Sequence, residues 1–317
     1  MPAPLPPSTF EPAAAYAQVR PVRLALSTRD WPTLRGLFAD LDPHGRTHLI
    51  GIAAHAGSVE PFLREMVAED PDDALAGTLL GAHLIRAGWR IRTRYSAHYV
   101  SDEQFARFHE RLRQAEQVLI DVTARHPDDP AAWTERITSA RGLQLGLAEA
   151  RRRYDRLATH HPHHLPAQAA LLQQLCPKWG GTWEQAHGFA RECADTAPDG
   201  APNAVLVVEA HLERALDSGN LITASAYLRE AQAHREIHEA AERSIWHREF
   251  RNGWGWLKVR STFAQAFSLM EEWQSAAAQF AAMGPLGDEA MFGYVGDDPA
   301  RQFQRLREQA YAKGGRP

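Results

Sequence analysis

The chain has 317 residues, of which 44% are hydrophobic and 23% charged, with 35 basic against 39 acidic side chains and a formal net charge of −4. That balance describes a soluble folded protein and argues against a chain drawn bodily onto nucleic acid or an anionic membrane. No stretch approaches the roughly 18 apolar residues of a membrane span.

Residues 1–13 read as a flexible, proline-rich lead-in and residues 312–317 as a flexible polar tail, bracketing a single α-helical repeat domain over 14–311. The start, Met1 to Pro7, lacks the basic and uninterrupted apolar segments of a signal peptide, so a cytoplasmic location is expected. Helical patterning begins near Ala14. The segment Ser27 to Pro32 reads as a helix end followed by a helix from about Trp31, with Leu34, Phe38 and Leu41 on one side. Residues 48–56 and 59–69 are the next expected pair. Asp70-Pro-Asp-Asp73 then offers a turn and an N-cap for the helix carrying Leu75, Leu79 and Leu80.

Trp89-Arg-Ile-Arg-Thr-Arg94 departs from this pattern. The guanidiniums of Arg90, Arg92 and Arg94 can clamp a carboxylate or another anion, or simply pair with nearby Asp and Glu on a helix surface. Ser101 caps a long helix from Asp102 to His126, and Asp129 caps the next, through Trp133 and Ile137. Three helices then end alike: Ala115/Leu119/Val122 before Pro127, Ala150/Tyr154/Leu157 before Pro162, and Ala186/Ala190/Cys193 before Pro198. Each proline lies 35 or 36 residues after the last. This is the signature of an antiparallel helix pair that buries its apolar face only by stacking on neighbours. The expected fold is all-α, an irregular tetratricopeptide-like right-handed α-solenoid.

His160-His161-Pro162-His163-His164 falls in an inter-repeat turn. Its imidazoles read as solvent-facing loop residues, with metal binding as the alternative. Cys176 and Cys193 lack the paired spacing of a zinc or redox motif and read as reduced packing residues, or as a disulfide between adjacent helices.

Pro177-Lys-Trp-Gly-Gly-Thr-Trp183 interrupts the repeat with a tight backbone approach, one cation and two rigid indoles. Lys178 to Gly181, Phe189-Ala190-Arg191 and Ala210-His211-Leu212-Glu213, together with Asp30-Trp31 and the Trp89/Arg90/Arg92 segment, resemble an uncharacterised bacterial family of tetratricopeptide-like helical-repeat proteins carrying a Lys-Trp-Gly-Gly motif. The resemblance covers most of residues 15–310 and implies a fold, without an activity. The chain departs from the full tetratricopeptide pattern where Ala190 takes the position that Tyr154 fills one repeat earlier. Lys178 reads as a helix-end cation or a partner of Glu213, or else as a ligand contact. His211 and Glu213, two apart on a helix, face different ways.

After Gly219 a helix is expected over 221–238, continuing into 242–250, before the aromatic bend Asn252 to Trp256. His234 and His238 share a helix face at i,i+4 spacing, and Glu242 continues it as a third candidate metal ligand, although no metal or cofactor is expected. A helix over 270–283 and a capping helix over 300–311 close the array.

The leading expectation is a non-enzymatic scaffold that holds a peptide or partner protein on its inner face, with Trp89, Trp133, Trp179 and nearby arginines as contacts. No nucleic-acid or membrane partner is expected. The alternative is an all-helical enzyme or small-molecule binder with a pocket near Lys178 and His211; no established catalytic motif fixes a reaction.

Overall fold

The computed structural model describes residues 5–93, 99–294 and 298–315. Among these residues the fold is all-α. The lone extended pairing is an isolated bridge between Thr9 and Leu286. The chain divides into two compact units, Tyr16–Gly181 (unit A) and Met1–Ala15 with Thr182–Pro317 (unit B), to which the short helix α1 (Pro12–Ala15) belongs.

Unit A runs through α2 (Val19–Thr28), α3 (Trp31–Ala39), α4 (Pro43–Ala53), α5 (Glu60–Glu69), α6 (Ala74–Arg92), α7 (Asp102–Arg125), α8 (Pro130–Gly142), α9 (Leu147–Ala158) and α10 (Leu165–Leu175). Short polar residues write the starts. Asp30, Asp42, Asp73, Ser101 and Asp129 each accept a hydrogen bond from a backbone N–H of the first turn, and proline opens α3, α4 and α8. Asp42 starts α4 at Pro43, five residues before the expected helix over 48–56. The Trp31 indole donates to the Asp73 carboxylate at 3.0 Å, tying the start of one helix to the cap of another.

Consecutive helices pack together from α5 to α10, and α2, α4, α6, α8 and α10 also meet in sequence, the contact pattern of a helical-repeat stack. Gly77 and Gly81 let α7 approach closely, because a Cβ at either position would collide with Val122 or Leu119. α8 is buried almost all round. Its charges are met: Arg86 grips Glu135 through two bonds of 2.8 and 3.0 Å, and Arg136 donates to Thr123 at 2.7 Å. Arg153 forks onto Glu116 at 2.6 and 3.1 Å. Beyond the sequential pattern, α4 also reaches α8 and α10, with Thr47 Oγ1 3.0 Å from His164 Nε2.

Unit B contains α11 (Trp183–Thr196), α12 (Val205–Asp217), α13 (Leu221–Leu228), α14 (Ala231–Arg243), α15 (Trp256–Leu269), α16 (Trp273–Met283), α17 (Glu289–Gly293) and α18 (Pro299–Gly314). α12 is its centre, packed by α11, α13, α14 and α15. The helix expected over 221–238 breaks at Arg229 and Glu230. The buried pairs Ala224/Leu228 and Ala233/Ile237 are five residues apart at the join, one too many for a continuous apolar stripe, and the break lets both pairs pack inward. α14 stops at Arg243, so the continuation expected over 242–250 is a run of turns. At the far end, Phe10, Phe280, Phe292 and Phe303 form an aromatic cluster with edge-on contacts, and the buried Arg307 donates to the carbonyls of Gly284 and Pro6.

Candidate metal centre

Unit A holds most of the residues singled out from the sequence, and there Trp89 and Trp179 pack against each other. Trp179 ends the short 3₁₀ turn Pro177–Trp179 and meets Trp89 edge-on at 5.8 Å. The Arg141 guanidinium lies over both rings, at 5.5 and 5.7 Å. Gly180 takes the left-handed conformation at φ 91°, and Gly181 presses on the backbone of Leu175 where no side chain fits. Trp133 is buried, its indole donating to the Pro127 carbonyl at 2.8 Å. Arg90 and Lys178 are exposed, whereas Arg92 is half-buried, donating to the Thr93 carbonyl at 3.1 Å; Arg94 lies outside the described residues.

In unit B, His211 stands on α12 at the wall of a cavity of about 250 Å³, and the whole lining belongs to this unit. Three elements bring its partners. α11 presents Trp183, His187 and Arg191 at i, i+4 and i+8; α13 contributes Tyr227, and α14 contributes Glu236. The His187 and His211 rings lie 4.5 Å apart. His211 Nε2 is 3.1 Å from a Glu236 carboxylate oxygen, and its Nδ1 is 2.8 Å from the Tyr227 hydroxyl. A carboxylate only accepts, so Nε2 carries the proton and Tyr227 donates to Nδ1. Gln232 donates to Glu236 at 2.9 Å and Arg191 pairs with it at 3.3 Å. Glu213, two residues on from His211, instead accepts from Tyr294 at 2.8 Å.

His187 is the exception in this network. It is only 6% exposed, and its Nε2 has no hydrogen-bond partner among the described residues. Burial pushes its pKa down to about 4, helped by the neighbouring His211 and arginines, so the ring is neutral at pH 7 with a nitrogen left unmet. Burial also lowers the pKa of His211 against the pull of Glu236, and raises the Tyr227 phenol to about 12. At Glu236 burial opposes ionisation, but the bonds from Gln232 and His211 outweigh it and keep the carboxylate below its usual range.

One donor atom from each of His187, His211 and Glu236 lies within 4.8 Å of the other two. Donors around a tetrahedral zinc ion stand about 3.4 Å apart, so closing on an ion asks for side-chain adjustments of about 1 Å. A second trio, His234, His238 and Glu272, meets the same geometric condition. Here the i,i+4 histidines do share a face, but the carboxylate beside them is Glu272 at the corner between α15 and α16, and Glu242 is exposed elsewhere on α14. An i,i+4 rule looks only along one helix, whereas this third partner comes from another.

His187, Tyr227 and Glu236 went unread in the sequence. The available signal was a polar i, i+4, i+8 row on α11 beside the apolar Ala186/Ala190/Cys193 row. Two segments carrying the family resemblance each place a residue in the cavity lining, Arg191 and His211. The chain matches no protein-family model and no curated protein.

Proposed function

We propose that the chain binds a small anionic molecule at a divalent transition-metal ion held by His187, His211 and Glu236. The observation that carries this reading is the buried, unmet Nε2 of His187 beside a second imidazole and a carboxylate in one cavity. Two imidazoles and one carboxylate suit zinc, iron or cobalt, and leave coordination positions for water or ligand. An ion on His211 Nε2 displaces the proton now given to Glu236. Nδ1 then carries the ring proton and donates to Tyr227, which orients the ring as an outer-shell partner.

The charges explain the choice of an anion. Arg191 and Arg214 face the cavity with Glu184, Glu230 and Glu236, a balance that a divalent ion tips to positive. Arg214 lies over the Tyr227 ring at 5.0 Å and has no carboxylate partner among the described residues. Arg191, now paired with Glu236, is loosened when the metal takes that carboxylate.

The test is visible absorption of the cobalt(II)-loaded protein. Cobalt bound at this centre gives ligand-field bands that shift on titration with azide. His187→Ala and Glu236→Gln each weaken cobalt binding by about tenfold or more, and Arg214→Ala weakens azide while sparing cobalt. Cobalt binding indifferent to His187 and Glu236 sinks the proposal.

The peptide-scaffold reading has less beneath it, because Trp133 is buried, Trp89 and Trp179 pack on each other, and α4 lies on α8 and α10. The helix stack is read as an irregular right-handed relative of the tetratricopeptide repeat, supported by the proline recurrence and the next-but-one contacts of unit A. A cytoplasmic location is part of the same proposal.

A further inference from the structure

We propose a second metal site, independent of the cavity, at His234, His238 and Glu272. On α14 the two histidines flank Glu236 in sequence, and residues two apart project about 200° apart around a helix, so the helix offers one ligand to the cavity and two to its other side. The two imidazoles stack at 4.5 Å with their planes 15° apart. His234 Nε2 is 2.7 Å from one Glu272 oxygen, and His238 Nε2 is 2.8 Å from both. Two ring nitrogens thus converge on a single carboxylate, each spending an N–H on it. One ion among the three replaces both bonds and needs neither proton.

The surroundings fix one side of the site and leave the other open. Trp246 and Phe267 pack edge-on against the His238 ring at 5.4 and 6.0 Å, holding its orientation. Glu272 follows Glu271, whose φ of 63° is a left-handed conformation where glycine is usual, and this sharp corner directs the Glu272 carboxylate back toward α14. The His234 side chain is 46% exposed and that of His238 31%, so water completes the coordination and the ion exchanges with solvent. Imidazole and carboxylate donors select a borderline ion such as zinc over magnesium or calcium. Bound there, zinc pins α14 to the corner between α15 and α16, and so steadies the helix that carries Glu236.

Zinc titration of the full chain against a chromophoric chelator tests this. Wild type takes two equivalents; His238→Gln and Glu272→Gln each lose one, with at least a tenfold weaker second constant, and keep the cobalt spectrum of the cavity. His187→Ala loses the other equivalent. Hydrogen exchange of a peptide covering 270–273, which carries a ligand of this site alone, slows on adding zinc in wild type and in His187→Ala, but not in His238→Gln. The proposal is overturned if wild type binds a single zinc removed by His187→Ala, or if both outer variants still bind two. A single zinc removed only by His238→Gln and Glu272→Gln supports this site and sinks the cavity reading instead.

Discussion

Replacing His187 with leucine should make the protein more stable while abolishing the cavity's metal site. The buried, unmet Nε2 costs about 1 kcal/mol near neutral pH, and an apolar side chain of similar volume removes that cost. The pH dependence is the sharper part. The folded-state pKa of His187 is lowered to about 4, below the roughly 6.5 of an unfolded chain. Below about pH 6.5 the unfolded chain takes up a proton that the folded one refuses, so stability falls with pH until the folded ring also titrates near pH 4. From about pH 7.5 to 5.5 this single group removes about 1 kcal/mol, and by about pH 4.5 between about 2 and 3 kcal/mol. Buried histidines away from the cavity, such as His164, add the same slope to wild type and variant alike, so the difference between the two proteins reports His187 and its coupling to His211. The assay is urea unfolding at the three pH values without metal, followed by a hydrogen-exchange pulse at one common pH. Peptides from α11 and α12 report the unit that carries the residue. The advantage of leucine should widen from about 1 to between about 3 and 4 kcal/mol as pH falls. A pH-independent difference refutes the claim that the ring is buried neutral, and a destabilised variant refutes the claim that its nitrogen is unmet.

Gly181→Ala drives a Cβ into the Leu175 backbone and should cost about 2 kcal/mol or more, seen as a lower melting temperature, while Gly188→Ala, with open space around it, should cost little. Glu116→Gln leaves Arg153 and Arg136 buried beside an uncharged amide and should cost about 3 kcal/mol in chemical denaturation, more than Glu110→Gln on the exposed surface. Lys178→Ala should leave cobalt and azide binding unchanged, since every residue lining the cavity follows Thr182. A loss of azide binding in that variant would join the Lys-Trp-Gly-Gly turn to the site.

What could be read in the sequence was what is local in the chain. Asp73, Ser101 and Asp129 mark helix starts because a cap bonds to N–H groups two or three residues ahead, and the helix pairs of unit A are legible because consecutive helices there pack on one another. The break after Leu228 was equally local, a five-residue gap between apolar pairs that a long helix could not have accommodated. Contacts that depend on the turn of the stack left no such trace. Thr47 and His164 meet across 117 positions, and Glu236 reaches His211 across 25.

The two histidine clusters put the limit in physical terms. At His234 and His238 the helix period was enough to pair the rings, and then misled, since extending it along α14 named Glu242 while the corner after α15 delivered Glu272. At His187 the helix period puts the ring beside an apolar row and says nothing of its hydrogen bonds. Only the packing of α11 and α14 on α12 reveals that its Nε2 meets no donor or acceptor, while the neighbouring His211 has partners at both nitrogens. The metal-binding claim therefore stands on the one property of this ring that no spacing encodes, and exchanging it for leucine tests that property before any ligand is known.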